Sequence, residues 1–395
     1  MSKSLKTPGT PRSDLAFSDE AEDAPVRLLI VADRYGATQE ISFVAPLTPW
    51  RRIAAAAIRV IDEPGLEAIR KRGGEAEVLA ALRAQLADFR PVAVVISRYN
   101  GRDYESVFTA AQNAGVPVVF HLDDDLFEVP IALGIDIFRR YRHPHRVHAM
   151  YRIAEMADVV YVSTPALGHR VRARLNPKRL VVSDVYVGAD AALAGLERGR
   201  GKADGEIQIG YMASIGHSFD LELIAPALRM VLNTRPDVML HFFGTICQSD
   251  VVKEFGDRVE RTERVRGSYA DFRSILGGLG WDIGLAPLRD HDFNRCKAPT
   301  KWLEYAEAGM AVLASDMSVY AQLAAQGALL ACGDDEWAQA IIRLADDASL
   351  RGRLVGTSRQ VIAREYSWRR VEDQVIDLLA SLHPPARTPK MEFTS

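Results

Sequence analysis

Four segments in the first half of the chain are apolar along most of their length and then end on polar residues: VRLLIVAD (26–33), PVAVVISR (91–98), VPVVFHLD (116–123) and DVVYVST (158–164). A strand with one wet face alternates apolar and polar positions, so such a run predicts a strand buried on both faces. Between these runs the pattern changes period. EAEVLAALRAQLADF (75–89) spaces Ala and Leu as a helix does, with its charges on one face. Strand and helix in alternation imply right-handed crossovers and a parallel sheet covered by helices on both sides. The stretch LAGLERGRGKADGE (193–206) is polar, glycine-containing and without periodicity, and is predicted to be a linker. The alternation then resumes with IQIGYMA, a helix through DLELIAPALRMVLN, VMLHFFG, WDIGLAPL, a helix at TKWLEYAEAG, and MAVLAS. SWRRVEDQVIDLLASL (367–382) is an amphipathic helix that either closes the second half or packs back on the first.

The expected architecture is therefore α/β, with two doubly wound, Rossmann-like domains at 25–192 and 207–365 whose strand ends face a central cleft. In such sheets ligands bind beyond the carboxyl ends of the strands. The helix at 366–382 follows the second domain, and loose tails are expected at 1–24 and 383–395.

Composition narrows the function without choosing it. A chain of 395 residues exceeds what one core usually organises, and 48% apolar residues suffice for two. A formal net charge of -3 gives no sign of nucleic acid as partner. Cys247, Cys296 and Cys332 are widely spaced and contain no C-x-x-C pair, which predicts reduced thiols and no zinc site. The first residues lack the apolar core of a signal peptide, and no apolar run approaches the length of a membrane span. A cytoplasmic protein is expected, with peripheral contact at the inner face of the cell membrane. That contact would use Phe138 to Arg152, where five Arg and three His are interleaved with aromatics.

KAPTKWLEYAEAGMAVLASD (297–316) resembles the nucleotide-binding segment of GT-B-fold glycosyltransferases. It is closest to the large retaining family whose motif is Glu, seven residues, Glu, followed by small residues and a strand. IGYMASIGHSFDLELIAPAL (209–228) is similar to the opening strand, loop and helix of that family's second domain. VVFHLDDDLFEVP (118–130) resembles the Asp-rich segment of some bacterial members. The resemblance implies a nucleoside-diphosphate-sugar donor, a glycan, glycolipid or protein-linked acceptor, transfer with retention, and a setting in bacterial surface polysaccharide assembly.

It also implies residues. Glu304 matches the second Glu of the motif and would accept hydrogen bonds from both ribose hydroxyls. The first Glu is replaced by Cys296, and the Arg/Lys pair usual in the loop after the first strand is replaced by His217. Gly216 would let that loop approach a phosphate at a helix N-terminus. Arg289, Lys297 and Lys301 would supply the missing positive charge. In the first domain, His121 falls where the family places a His facing sugar and acceptor, and Asp123 and Asp124 complete the expected catalytic set.

Asp123 and Asp125 also form an Asp-x-Asp pair of the kind that holds a divalent cation. The favoured reading places the Asp cluster on the acceptor side and requires no metal or other cofactor. Two other readings stay open: a metal-dependent transferase using Asp123 and Asp125, and a glycosyltransferase-like scaffold subunit without catalysis.

Overall fold

Each of the eight apolar runs forms a strand. The computed structural model describes residues 15–19, 24–183, 205–263 and 268–382. It contains two sheets. The first runs β1(Phe17–Ser18), β3(Ala56–Asp62), β2(Val26–Ala32), β4(Ala93–Ser97), β5(Val118–Leu122), β6(Val159–Val162), β7(Leu180–Val182) across its width. All its pairs are parallel except β1 with β3. The second sheet is wholly parallel and runs β10(Val259–Thr262), β9(Val238–Phe243), β8(Ile207–Met212), β11(Ile283–Ala286), β12(Ala311–Ser315), β13(Ala328–Ala331).

The apolar runs are explained by helices on both faces of each sheet. In β2, Leu29 and Val31 enter one core while Leu28 and Ile30 enter the other, as the two-residue period of a strand requires. The helices of eight residues or more are α1(Glu63–Phe89), α2(Tyr104–Ala114), α3(Ile135–Arg142), α4(Pro144–Met156) and α5(Pro165–Arg174) in the first half. They are followed by α6(Ser218–Thr234), α7(Tyr269–Gly278), α8(Thr300–Glu307), α9(Gly333–Asp346), α10(Ala348–Glu365) and α11(Trp368–Leu382). No helix among the described residues is long and apolar enough to cross a membrane.

Some elements were not visible as apolar runs. Strand β3 carries Arg59 in its centre, and that side chain is buried with its guanidinium on Gln85 and Asp88 and over the ring of Phe89. Strand β10 lies at a sheet edge, so its polar Glu260 and Arg261 face solvent. The expected loose segment at 1–24 needs one correction. Phe17 and Ser18 pair with β3, and Asp19 takes two hydrogen bonds from Arg51, at 2.8 and 2.6 Å, and one from the Ile58 amide. The charged, Pro-rich composition concealed a short edge strand held by a half-buried ion pair. The linker expected at 193–206 lies almost entirely outside the described residues, as does the tail at 383–395.

Among the described residues, apolar packing joins the halves in two places. Helix α11 lays Val371, Val375, Leu378 and Leu379 into the core of the first sheet, beside Leu28, Ile30, Val95 and Val119. Phe293 and Cys296, from the second half, are buried within the other core of the first sheet.

Candidate functional site

The order of the second sheet reverses between β8 and β11, and ligand crevices in doubly wound sheets open at such points. Gly210 of β8 and Gly284 of β11 are register partners there. A Cβ on Gly210 would stand 1.8 Å from the Trp281 ring, and one on Gly284 2.6 Å from Tyr305. Two missing side chains thus let two large rings lie against the sheet. Tyr305, so seated, accepts a hydrogen bond from the Met212 amide at 2.8 Å. This clamps α8 to the carboxyl end of β8 and fixes its neighbour, Glu304.

Glu304 is 6% exposed, and the Tyr269 hydroxyl donates to its Oε1 at 2.8 Å. Burial pushes its carboxyl up to about 7, against the opposing pull of Tyr269, Lys301 and Arg273. Burial likewise holds the Lys301 ammonium below its ordinary value, with Nζ 5.8 Å from the centre of the Tyr211 ring. His217 Nδ1 lies 2.8 Å from Asp220 Oδ2, and Asp220 Oδ1 accepts from the Arg289 amide at 2.9 Å. Burial and the nearby Lys301 charge lower His217 to about 4. At neutral pH it is therefore a neutral ring donating from Nδ1 to the Asp220 carboxylate. His217 does not replace the positive charge of the missing Arg/Lys pair.

In the first sheet, Asp33, Arg98 and Asp123 each occupy the first position after a strand, and those strands (β2, β4 and β5) are neighbours. Arg98 has φ 58°, a left-handed conformation unusual for a non-glycine residue. Its amide donates to the His121 carbonyl at 3.0 Å. Its guanidinium donates to Asp123 at 2.8 Å and Asp124 at 3.1 Å, with Asp33 at 3.8 Å. Thr38 and Tyr141 hydroxyls donate to Asp123 and Asp33 at 2.7 and 2.9 Å. Burial would raise Asp124, but Lys297 and Arg98 outweigh it and hold the carboxyl at about 2.

The triple Asp does not converge on one point. Asp125 is buried and turned to the Phe127 amide and to Arg170, away from Asp123. Among the described residues no group of three His, Cys, Asp or Glu side chains is placed to hold a metal ion. His121 sits on the face of β5 shared with Val119, 1% exposed, against Phe43 and Tyr161. Gln39 donates to Ser97 Oγ at 2.9 Å, and Ser97 Oγ lies 3.0 Å from His121 Nδ1. Its side chain therefore faces the sheet interior and reaches the cleft only through its backbone carbonyl.

The two halves meet across these strand ends. Lys297 Nζ is 3.3 Å from Asp124 Oδ1, Arg170 bridges Asp125 and Asp292, and Thr164 donates to the Cys296 carbonyl at 2.8 Å. A Cβ on Gly216 would lie 3.0 Å from the Leu133 carbonyl, so the close approach at this glycine is to the opposite domain. Cys296, at the position of the motif's first Glu, is buried and its thiol is pushed up to about 11 by burial.

Of the residues singled out in the sequence, Lys301 is the common neighbour: its charge acts on both His217 and Glu304, and Lys297 lies near Lys301 and His217. Gly216 adjoins them. Arg289 joins through its backbone only, because its guanidinium turns to the Phe219 carbonyl at 2.6 Å and toward Glu222. In the basic segment, Arg140 and Arg146 pair with Glu63, Arg142 with Glu128 and Arg152 with Glu155. Arg98, Asp33, Tyr141, Asp220 and Tyr269 escaped the sequence reading. The one signal available was position, since Arg98 and Asp33 directly follow apolar runs.

No protein-family model matches the chain, and no curated protein does. Solved structures resemble it along nearly its whole length. HepE from Anabaena, solved with UDP-glucose, superposes with a TM-score of 0.63 at 14% identity, covering 90% of this chain and 99% of its own. A glycosyltransferase from Rickettsia africae gives 0.64 at 9% identity, covering 91% and 99%. The α,α-trehalose 6-phosphate synthase from Burkholderia multivorans gives 0.56 at 14% identity, covering 90% and 97%. With the two facing sheets described above, these likenesses establish that the chain has the GT-B fold, two Rossmann-like domains around a cleft.

Proposed function

We propose that this protein is a glycosyltransferase that moves a sugar from a nucleoside-diphosphate donor to a glycan or lipid-linked acceptor. The observation that carries the proposal is the Glu304 site. A buried carboxylate has one oxygen engaged by Tyr269 and lies beside Lys301, which in turn neighbours Lys297 and His217 at the carboxyl ends of a doubly wound sheet. Glu304 would accept from the ribose hydroxyls. Lys297 and Lys301, with the amides around Gly216 ahead of α6, would take the diphosphate.

As the glycosidic bond breaks, the leaving phosphate gains charge and the sugar becomes oxocarbenium-like. Fixed cations in a dry cleft stabilise that charge without reorganising. Asp123 and Asp124 stand across the cleft, on the acceptor side, held in place by Arg98. His121 supports them from beneath, through its carbonyl on the Arg98 amide. Retention of configuration and a role in bacterial surface glycan assembly follow the resemblance of the 297–316 segment. The divergence of Asp123 from Asp125 favours transfer without a bridging metal.

The test is a thermal-shift and calorimetric panel of UDP, GDP, ADP, CMP and dTDP sugars, with and without Mn²⁺. A ligand that binds only the native state raises its apparent stability. One nucleotide class should stabilise the protein without metal, and Glu304→Gln should weaken it by about tenfold or more. A shift that requires Mn²⁺ would return the metal reading. No shift with any nucleotide, or unchanged binding by Glu304→Gln, would leave the scaffold reading in its place.

A further inference from the structure

Tyr269 lies 35 positions before Glu304 and belongs to no motif, yet its hydroxyl is the hydrogen-bond partner of that carboxylate. We propose that Tyr269 is a positioning residue that fixes the plane in which the Glu304 carboxylate meets the donor, and thereby sets discrimination between ribose and 2′-deoxyribose nucleotides. The proposal rests on the donor-site reading given above.

The geometry is that of a held group. Ser268 caps α7: its Oγ accepts from the Asp271 amide at 3.2 Å, and Asp271 accepts from the Ser268 amide at 2.8 Å. Tyr269, the first residue of the helix, is thereby fixed at its backbone. Its ring is fixed as well. It stacks on Phe272 with centroids 5.7 Å apart, and Phe272 stacks on Phe243, the last residue of β9, at 5.3 Å. The chain of rings ties the hydroxyl to the sheet.

A carboxylate on a helix turns about its last torsion, and since its two oxygens are equivalent, a fixed partner decides the plane it presents. With Tyr269 holding one lone pair of Oε1, the carboxylate is set in one plane and its remaining acceptor sites are left for the ribose hydroxyls. A site built to accept hydrogen bonds from a ribose should reject an analogue lacking a hydroxyl, because a buried acceptor is left unmet. That rejection requires the acceptor to stay in place.

The charged and titratable groups facing Glu304 are Tyr269 and Arg273 from α7 and Lys301 and Tyr305 from its own helix, with Glu307 taking up Arg273. Removing the Tyr269 hydroxyl deletes a hydrogen bond that favours the carboxylate. The pH at which Glu304 ionises should then move up from about 7.

The experiment is calorimetric titration of wild type, Tyr269→Phe and Glu304→Gln with UDP and 2′-deoxy-UDP at pH 6, 7 and 8. If the panel above selects another base, the corresponding ribose and deoxyribose pair replaces them. Phe keeps the ring stack. In Tyr269→Phe the ribose preference should fall by about 3- to 10-fold, and the pH midpoint for binding should rise. In the Glu304→Gln background the same change should have no further effect.

An unchanged preference and midpoint in Tyr269→Phe would overturn the proposal. So would an equal loss for both nucleotides at every pH, which marks a packing role. Glu304→Gln binding as wild type would instead sink the donor-site reading itself. Should Tyr269→Phe not fold, Phe272→Leu loosens the ring and leaves the hydroxyl. It should reduce the preference in the same direction, and an unchanged preference would count against the proposal.

Discussion

His121 and Glu304 are both buried, and both are displaced toward their neutral forms, yet they act on stability in opposite senses. His121 is lowered from 6.5 to about 4. Between those values the unfolded chain binds a proton that the native state refuses, so stability falls as pH drops through the window. Glu304 is raised from 4.5 to about 7, so the native state keeps a proton that the unfolded chain has released, and stability falls as pH rises through that window. Each displacement is worth about 3 kcal/mol. The difference between wild type and His121→Asn isolates the first. Urea unfolding at pH 7 and pH 4.5 should show wild type losing about 2–3 kcal/mol more than the variant on acidification. Equal losses would mean that His121 titrates as it does in water.

At the scale of elements, α8 reaches its place through two absent side chains. Gly210 and Gly284, paired across β8 and β11, admit the rings of Trp281 and Tyr305, and Tyr305 then bonds the Met212 amide. Gly210→Ala would push a methyl group into the ring of Trp281, which is flanked by Tyr305 and His241. Overpacking of this kind typically costs about 1–3 kcal/mol. The urea midpoint should fall accordingly, and nucleotide binding should weaken because Glu304 rides on the same helix. Gly352→Ala, on the exposed face of α10 with open space around it, serves as the control. It should raise stability by about 0.5–1 kcal/mol. Similar effects at both positions would refute the packing account.

For the whole molecule, the decisive contacts lie between the domains. Lys297, assigned here to the donor diphosphate, is 3.3 Å from Asp124 of the opposite domain. A donor phosphate and Asp124 would compete for the same ammonium. Asp124→Asn should therefore raise nucleotide affinity by about 2- to 10-fold while turnover falls, since the acceptor side loses a charge. Calorimetry and sugar transfer measured on the same preparation separate the two effects. If affinity falls together with turnover, Asp124 belongs to the donor site and the competition does not exist. Arg170 with Asp292, Thr164 with the Cys296 carbonyl and the packing of α11 on the first sheet do not involve Asp124, so the domains should stay apposed in the variant.

The apolar runs determined eight strands and the two-sheet plan, because burial on both faces leaves a local composition that needs no tertiary knowledge. That Lys301 and Glu304 share one helix was legible for a related reason, since their spacing is local, while the choice of Glu304 itself came from the resemblance of its segment. Strand β3 was not, since Arg59 is compensated by Gln85, Asp88 and Phe89 from a helix that follows it. Strand parity turned His121 toward Phe43 and Tyr161, a consequence of which face β5 shows to which core. Arg98 gathers Asp33, Asp123 and Asp124 only because β2, β4 and β5 are neighbours in the sheet. Tyr269 meets Glu304, and Asp124 meets Lys297, across 35 and 173 positions of chain. Periodicity and spacing are local properties and could be read along the chain. Which charge neutralises which is set by strand order and domain apposition, and only the tertiary structure decided it.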